Sequence, residues 1–173
     1  MGRNGRVVID ELEDFKKDLQ KNLSGQQLDL FIESCAKELA ARLLARVIKR
    51  TPVGIYTGEA YVCVTKQSHK GSKVEGKVGG TLRRGWTGGK NQDTTEYASR
   101  LMVNHNGNSY AIEIVNPVEY ASYVEWGHRT RNGGGMGWVE GHKMLTISED
   151  EIRRDAPRVL ENKLKKKLGE CFK

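Results

Sequence analysis

Between Leu28 and Lys49, apolar residues return at every third or fourth position: Leu28, Phe31, Ile32, Cys35, Ala36, Leu39, Ala40, Leu43, Leu44, Val47 and Ile48. An α-helix, at 3.6 residues per turn, gathers that series on one face. The stretch predicts an amphipathic helix of about six turns whose apolar stripe other elements must cover. Pro52 sets its end at Arg50-Thr51, because proline disfavours helical geometry in the residue before it. A shorter, more charged helix is expected over 10–21, where Leu12, Phe15 and Leu19 share a face that can dock on the long one. Cys35 falls on the apolar stripe and reads as core. Cys35, Cys63 and Cys171 are odd in number and widely spaced, which fits reduced thiols rather than a disulfide framework.

Ser99 to Asn116 carries a strand signal. Two β-rich runs flank Asn106-Gly107, a dipeptide suited to a tight hairpin turn. With that pair as the loop, Val103 faces Tyr110 and Leu101 faces Ile112. Leu101, Val103, Tyr110, Ile112 and Ile114 then line one side of a half-buried sheet, with the long helix as its cover. Ser148-Glu149-Asp150-Glu151 has the spacing of a capping box and predicts the start of a last helix. That helix buries Ile152, Ala156, Val159, Leu160, Leu164 and Leu168, and Pro157 is expected to kink or briefly interrupt it. Two short β-like pieces at 61–65 and 73–78 read as a protruding arm, made basic by Lys66, Lys70, Lys73 and Lys77. Together these elements predict a single α+β domain over 1–173. A small antiparallel sheet packs against a long N-terminal helix and a C-terminal helix, and a β-arm is inserted at about 59–81.

At 37% hydrophobic and 29% charged, the 173 residues allow one core and leave much surface for contacts. The 20 glycines cluster at 71–89 and 127–141, which predicts two long mobile excursions. The formal charge of +7 makes acidic partners worth considering. Its densest run, Lys163 to Lys167, closes the last helix, where a solvated cationic end also suits the helix dipole. No stretch approaches the roughly 20 apolar residues of a membrane span. Charged Asp10 to Lys17 follow the short Val7-Val8-Ile9 run, unlike a signal peptide, so synthesis in the cytoplasm is expected.

Chemistry finds little purchase. His69, His105, His128 and His142 lack the i, i+4 pairing of zinc enzymes, and no G-x-S-x-G elbow or P-loop pattern is present. No catalytic, cofactor or metal residues are therefore expected, and no enzyme. Arg83-Arg84 with Trp86 has the basic and aromatic character of a nucleic-acid contact, and equally that of a protein hot spot. Tyr120, Tyr123 and Trp126 cluster in a short helix or turn closed by Gly127. They either present rings for self-association or simply close the core.

Thr51-Pro52-Val53, Thr57-Gly58, Leu82-Arg83-Arg84-Gly85-Trp86 and Tyr120-Ala121 with Val124-Glu125-Trp126-Gly127 stand in the order seen in phage minor tail, or tail-completion, proteins. The chain resembles that neck-ring family, of which lambda's gpZ is a relative, over roughly 28–168. The resemblance implies an oligomeric ring, commonly a hexamer, that finishes the tail and forms the tail side of the head–tail joint. It implies no catalytic residues, and it makes Pro52, Leu82, Arg83, Trp86, Tyr120, Val124, Glu125 and Gly127 candidate contacts. Arg84, Tyr123 and Trp126 join them from the basic pair and the aromatic cluster. The chain departs from the family pattern in the residues inserted between Thr57-Gly58 and Leu82-Arg83, and in Trp126, where the pattern has a plainer residue.

The expected partners are copies of the chain itself, the tail tube or tail terminator protein, the connector or collar, and DNA passing through the lumen. The expected location is the virion tail or neck. Two other readings stay open: a tail terminator ring, and a nucleic-acid-binding module.

Overall fold

The first long helix of the computed structural model, α1 (Gly25–Arg50), buries the predicted stripe almost residue for residue. Leu28, Ile32, Leu39, Leu43, Leu44 and Val47 are sealed from solvent. Each such side chain contributes roughly 1.5–3 kcal/mol relative to exposure, which makes this helix the spine of the core. It stops where Pro52 requires: the Thr51 amide donates to Val47 O at 2.9 Å, and the Thr51 hydroxyl donates to the same carbonyl at 2.6 Å. Cys35 is wholly buried, and burial pushes its thiol up to about 11. It is core, as its place on the stripe predicts.

The structure describes residues 5–8, 25–53, 79–90, 92–107, 109–132 and 135–171. The helix expected over 10–21 and the arm pieces at 61–65 and 73–78 lie outside them.

One antiparallel sheet is built from β1 (Gly5–Val8), β2 (Asn104–Asn106) and β3 (Ser109–Ile114), with β3 in the middle. Tyr110, Ile112 and Ile114 are buried in the same core cluster as α1, while Glu113, of opposite parity, is exposed. The Tyr110 hydroxyl donates to Asp29 on α1 at 2.5 Å. The hairpin register differs from expectation. Asn106 pairs with Ser109 and His105 with Tyr110, so the loop starts at Gly107 (φ 61°) rather than at Asn106. A slip of two residues keeps strand parity, so the inward set on β3 is unchanged.

The upstream run is not strand as far back as Ser99. Ser99 and Arg100 close a short helix, α2 being Thr81–Gly85 and α3 being Thr94–Arg100. The Asp93 carboxylate caps α3 by accepting from Thr95 N at 2.9 Å and Glu96 N at 3.1 Å, and these bonds hold it below its usual pKa. Leu101 and Val103 lie partly buried against the core, on the predicted side but before the strand begins.

After α4 (Ala121–Trp126) the chain forms a second hairpin, β4 (Gly127–Asn132) with β5 (Gly135–Glu140), paired from Gly127↔Glu140 to Asn132↔Gly135. Where the glycines predicted a mobile excursion, Gly127, Gly135 and Gly137 lie in these paired strands.

The last helix, α5 (Met144–Cys171), starts before the expected capping box. Ser148 is inside it and fully buried, its hydroxyl donating to Met144 O at 2.6 Å and accepting from Arg50 at 3.1 Å. The helix continues through exposed Pro157. Its Ile152, Ala156, Val159 and Leu160 join the core.

Helices α1 and α5 run antiparallel, as their charged contacts show. Arg50 meets Glu151 at 2.5 Å, Arg46 meets Asp155, and Lys163 reaches Glu38 at 3.0 Å and Ser34 O at 2.7 Å. Half-exposed pairs of this kind contribute at most about 1 kcal/mol each, so they fix register more than stability. The architecture is α+β: small antiparallel sheets with a long N-terminal and a C-terminal helix.

Candidate assembly surface

The conspicuous short motifs meet one another inside the chain. Trp86, only 4% exposed, donates its indole N–H to the Thr51 hydroxyl at 2.8 Å. The Arg83 guanidinium donates to Thr51 O at 2.8 Å, and that of Arg84 to Gly79 O at 3.0 Å. Asn116 donates to Leu82 O at 2.8 Å and accepts from Val118 N at 3.2 Å, which clamps α2 against the turn before α4. Gly85 faces that clamp so closely that a Cβ there would lie 2.2 Å from Asn116 Oδ1. Trp86 thus has no free ring face for a nucleic-acid base, and both arginines are engaged locally.

Glu125 organises the next junction. Its carboxylate, 6% exposed, accepts from Leu145 N and Thr146 N, both at 2.9 Å, and from the Thr146 hydroxyl at 2.8 Å. It caps α5 from another element, where unpaired amides and the helix dipole both favour an anion. In return, His142 N donates to Val124 O at 2.7 Å and Lys143 N to Glu125 O at 3.0 Å, which satisfies the end of α4. Lys143 adopts φ 47°, left-handed backbone that a non-glycine residue rarely takes. Gly127, at φ 86°, turns α4 into β4, and a Cβ there would fall 2.3 Å from Val139 O. Nearby Glu149 is half-buried; burial first, then the Glu125 charge, raises its pKa.

That internal scaffold leaves a set of rings on the outside. In α4, Ala121, Val124 and Glu125 point inward, while Tyr120, Tyr123 and Trp126 follow at intervals of three and are 45%, 58% and 50% exposed. The adjoining hairpin adds Trp138 and Val139, neighbours in sequence and so on opposite faces, both exposed. Tyr123 meets His128 edge-on at 5.8 Å. Among the described residues, no group of three or more His, Cys, Asp or Glu is placed to hold a metal ion.

Residues 13–127, two thirds of the chain, match the profile of the family described as "Bacteriophage HK97-gp10, putative tail-component". The chain belongs to this family of phage tail components. Comparison with curated proteins and with solved structures gave no match.

In this tail component the family match ends at Gly127, so it spans the interlocked frame and the α4 rings but leaves out most of the second hairpin and α5. The residues singled out from sequence divide by position. Pro52, Tyr120, Tyr123 and Trp126 are exposed; Leu82, Trp86 and Glu125 are buried; Arg83, Arg84 and Val124 are intermediate; Gly127 is the hinge. A buried side chain has no face left for a second chain, so Leu82, Trp86 and Glu125 hold the surface in place. Sequence reasoning passed over Trp138 and Val139 because glycines surround them. The alternating Met136-Gly137-Trp138-Val139 run was the available signal. Among the described residues, no helix is long and apolar enough to cross a membrane.

Proposed function

We propose that this chain is a non-enzymatic structural protein that assembles with copies of itself into a ring, with a hexamer the expected form, at the head-proximal end of a phage or phage-like tail. There it joins the tail tube to the connector or collar, as in the tail-completion proteins it resembles, with the virion tail or neck as its location. The observation that carries the reading is the β4–β5 hairpin beside α4. Two strands alone are marginal in water, yet this pair keeps Trp138 and Val139 exposed on opposite faces, next to three exposed rings. Aromatic surface of that kind is characteristic of protein contacts. One projecting element that meets a different patch on the next copy is a heterologous contact, which closes into a ring when the rotation allows.

Native mass spectrometry of the full chain tests this. The wild type should form a closed oligomer, and Trp126→Ser with Trp138→Ser should shift it to monomer while the helical circular dichroism signal is kept. A wild type that stays monomeric at high micromolar concentration, alone and with purified tail tube protein, contradicts the reading. Axial position within the particle separates this role from that of a tail terminator.

A further inference from the structure

Part of the cationic run that closes the last helix meets cations from elsewhere in the chain. Between α1 and α5 lies an open groove of about 570 Å³, lined by Arg42, Glu38, Arg158, Asn162, Lys163 and Lys166, with Val159 at its base. Four cations share one carboxylate there. Glu38 accepts from Arg42 at 2.9 Å and lies 3.0 Å from Lys163, so it partly offsets those two. Arg158 is 76% exposed and pairs with Asp155 at 3.7 Å, a carboxylate that also bonds Arg46. Arg158, Asn162 and Lys166 follow at i, i+4 on one stripe of α5, which sets two exposed cations along the helix with an amide between them.

From this we infer that the α1–α5 groove binds the phosphodiester backbone of double-stranded DNA. The inference rests on the ring reading, because it assigns the DNA-facing surface of that ring. A protein partner is the weaker fit: such contacts centre on aromatic and apolar anchors, whereas the groove has no ring, and Val159 is buried. Rows of fixed cations without aromatics suit regularly repeated phosphates, which are held by charge without sequence reading. The rings lie elsewhere: α5 begins against Glu125, and Arg158 is about 20 Å farther along the helix. Protein contact and DNA contact therefore occupy separate surfaces. Arg83, Arg84 and Trp86, the sequence's own nucleic-acid candidates, are tied to Thr51, Gly79 and the core.

The test is fluorescence anisotropy of the full chain on a labelled random-sequence DNA duplex between 50 and 200 mM salt, with oligomeric state measured in parallel. Arg158→Gln with Lys166→Gln should weaken binding on the order of 10-fold and reduce the log–log salt slope by about 2, with assembly unchanged. Lys49→Gln with Lys90→Gln, the same loss of charge elsewhere, should leave affinity nearly intact. Equal losses in both pairs, no DNA binding by the wild type as monomer or oligomer, or equal or tighter binding of labelled poly-glutamate would each overturn the inference. A wild type that binds DNA with this salt dependence yet stays monomeric would count against the ring reading alone.

Discussion

The indole N–H of Trp86 is hydrogen-bonded to the Thr51 hydroxyl at 2.8 Å, which joins the motif that ends α1 to the motif that forms α2. Thr51→Val keeps the shape and removes the acceptor, leaving a buried N–H without a partner. Such a group costs about 1–3 kcal/mol. Urea unfolding followed by tryptophan fluorescence should show the unfolding free energy fall by that amount, through a lower midpoint at unchanged slope.

Glu125→Ala should destabilise the chain by roughly 1–2 kcal/mol, since it strips the cap from two amides and the anion from a helix N-terminus. Glu125→Gln, which keeps one acceptor oxygen, should lose less. Hydrogen exchange at the Leu145 and Thr146 amides should speed up in both variants and more in the first.

Glu149 gives a pH signature. Burial and the Glu125 charge raise its pKa in the folded chain above the unfolded value. Ionised Glu149 therefore opposes folding at neutral pH, and this cost disappears as pH falls below the ordinary glutamate value of about 4.3. Glu149→Gln should raise the melting temperature by roughly 1–2 °C at pH 7. The difference should vanish below pH 4; a difference that grows on acidification would refute the assignment.

Two glycines should respond unequally to alanine. At Gly127 the added Cβ meets backbone, Val139 O at 2.3 Å, and the φ of 86° is itself unfavourable for alanine. At Gly85 it meets the Asn116 side chain, which can rotate away at the expense of its bonds to Leu82 O and Val118 N. Gly127→Ala should be the more destabilising by at least about 1 kcal/mol, read from thermal melts.

What the sequence made legible follows from how local each cause is. The α1 stripe is written in consecutive residues, and Pro52 marks its end, so that helix could be read directly. Tyr120, Tyr123 and Trp126 were legible as a cluster, though exposure alone separated surface from core. The start of α5 was not, because its cap, Glu125, comes from an earlier helix while Ser148 offers a false local cap. Helix α3 hid behind a β-rich run, although Asp93-Thr94-Thr95-Glu96 carried its capping signal. Strand β1 depends on pairing with β3 far along the chain, and Val7-Val8 alone does not announce it.

The central claim is tested most directly by electron cryo-microscopy of intact particles, with this chain fitted into the density. The account predicts a closed ring of copies between the last tail-tube layer and the connector, with the Tyr123, Trp126 and Trp138 side chains buried between neighbours. Density for the chain elsewhere in the particle, or a junction ring in which those rings stay solvent-exposed, would contradict it.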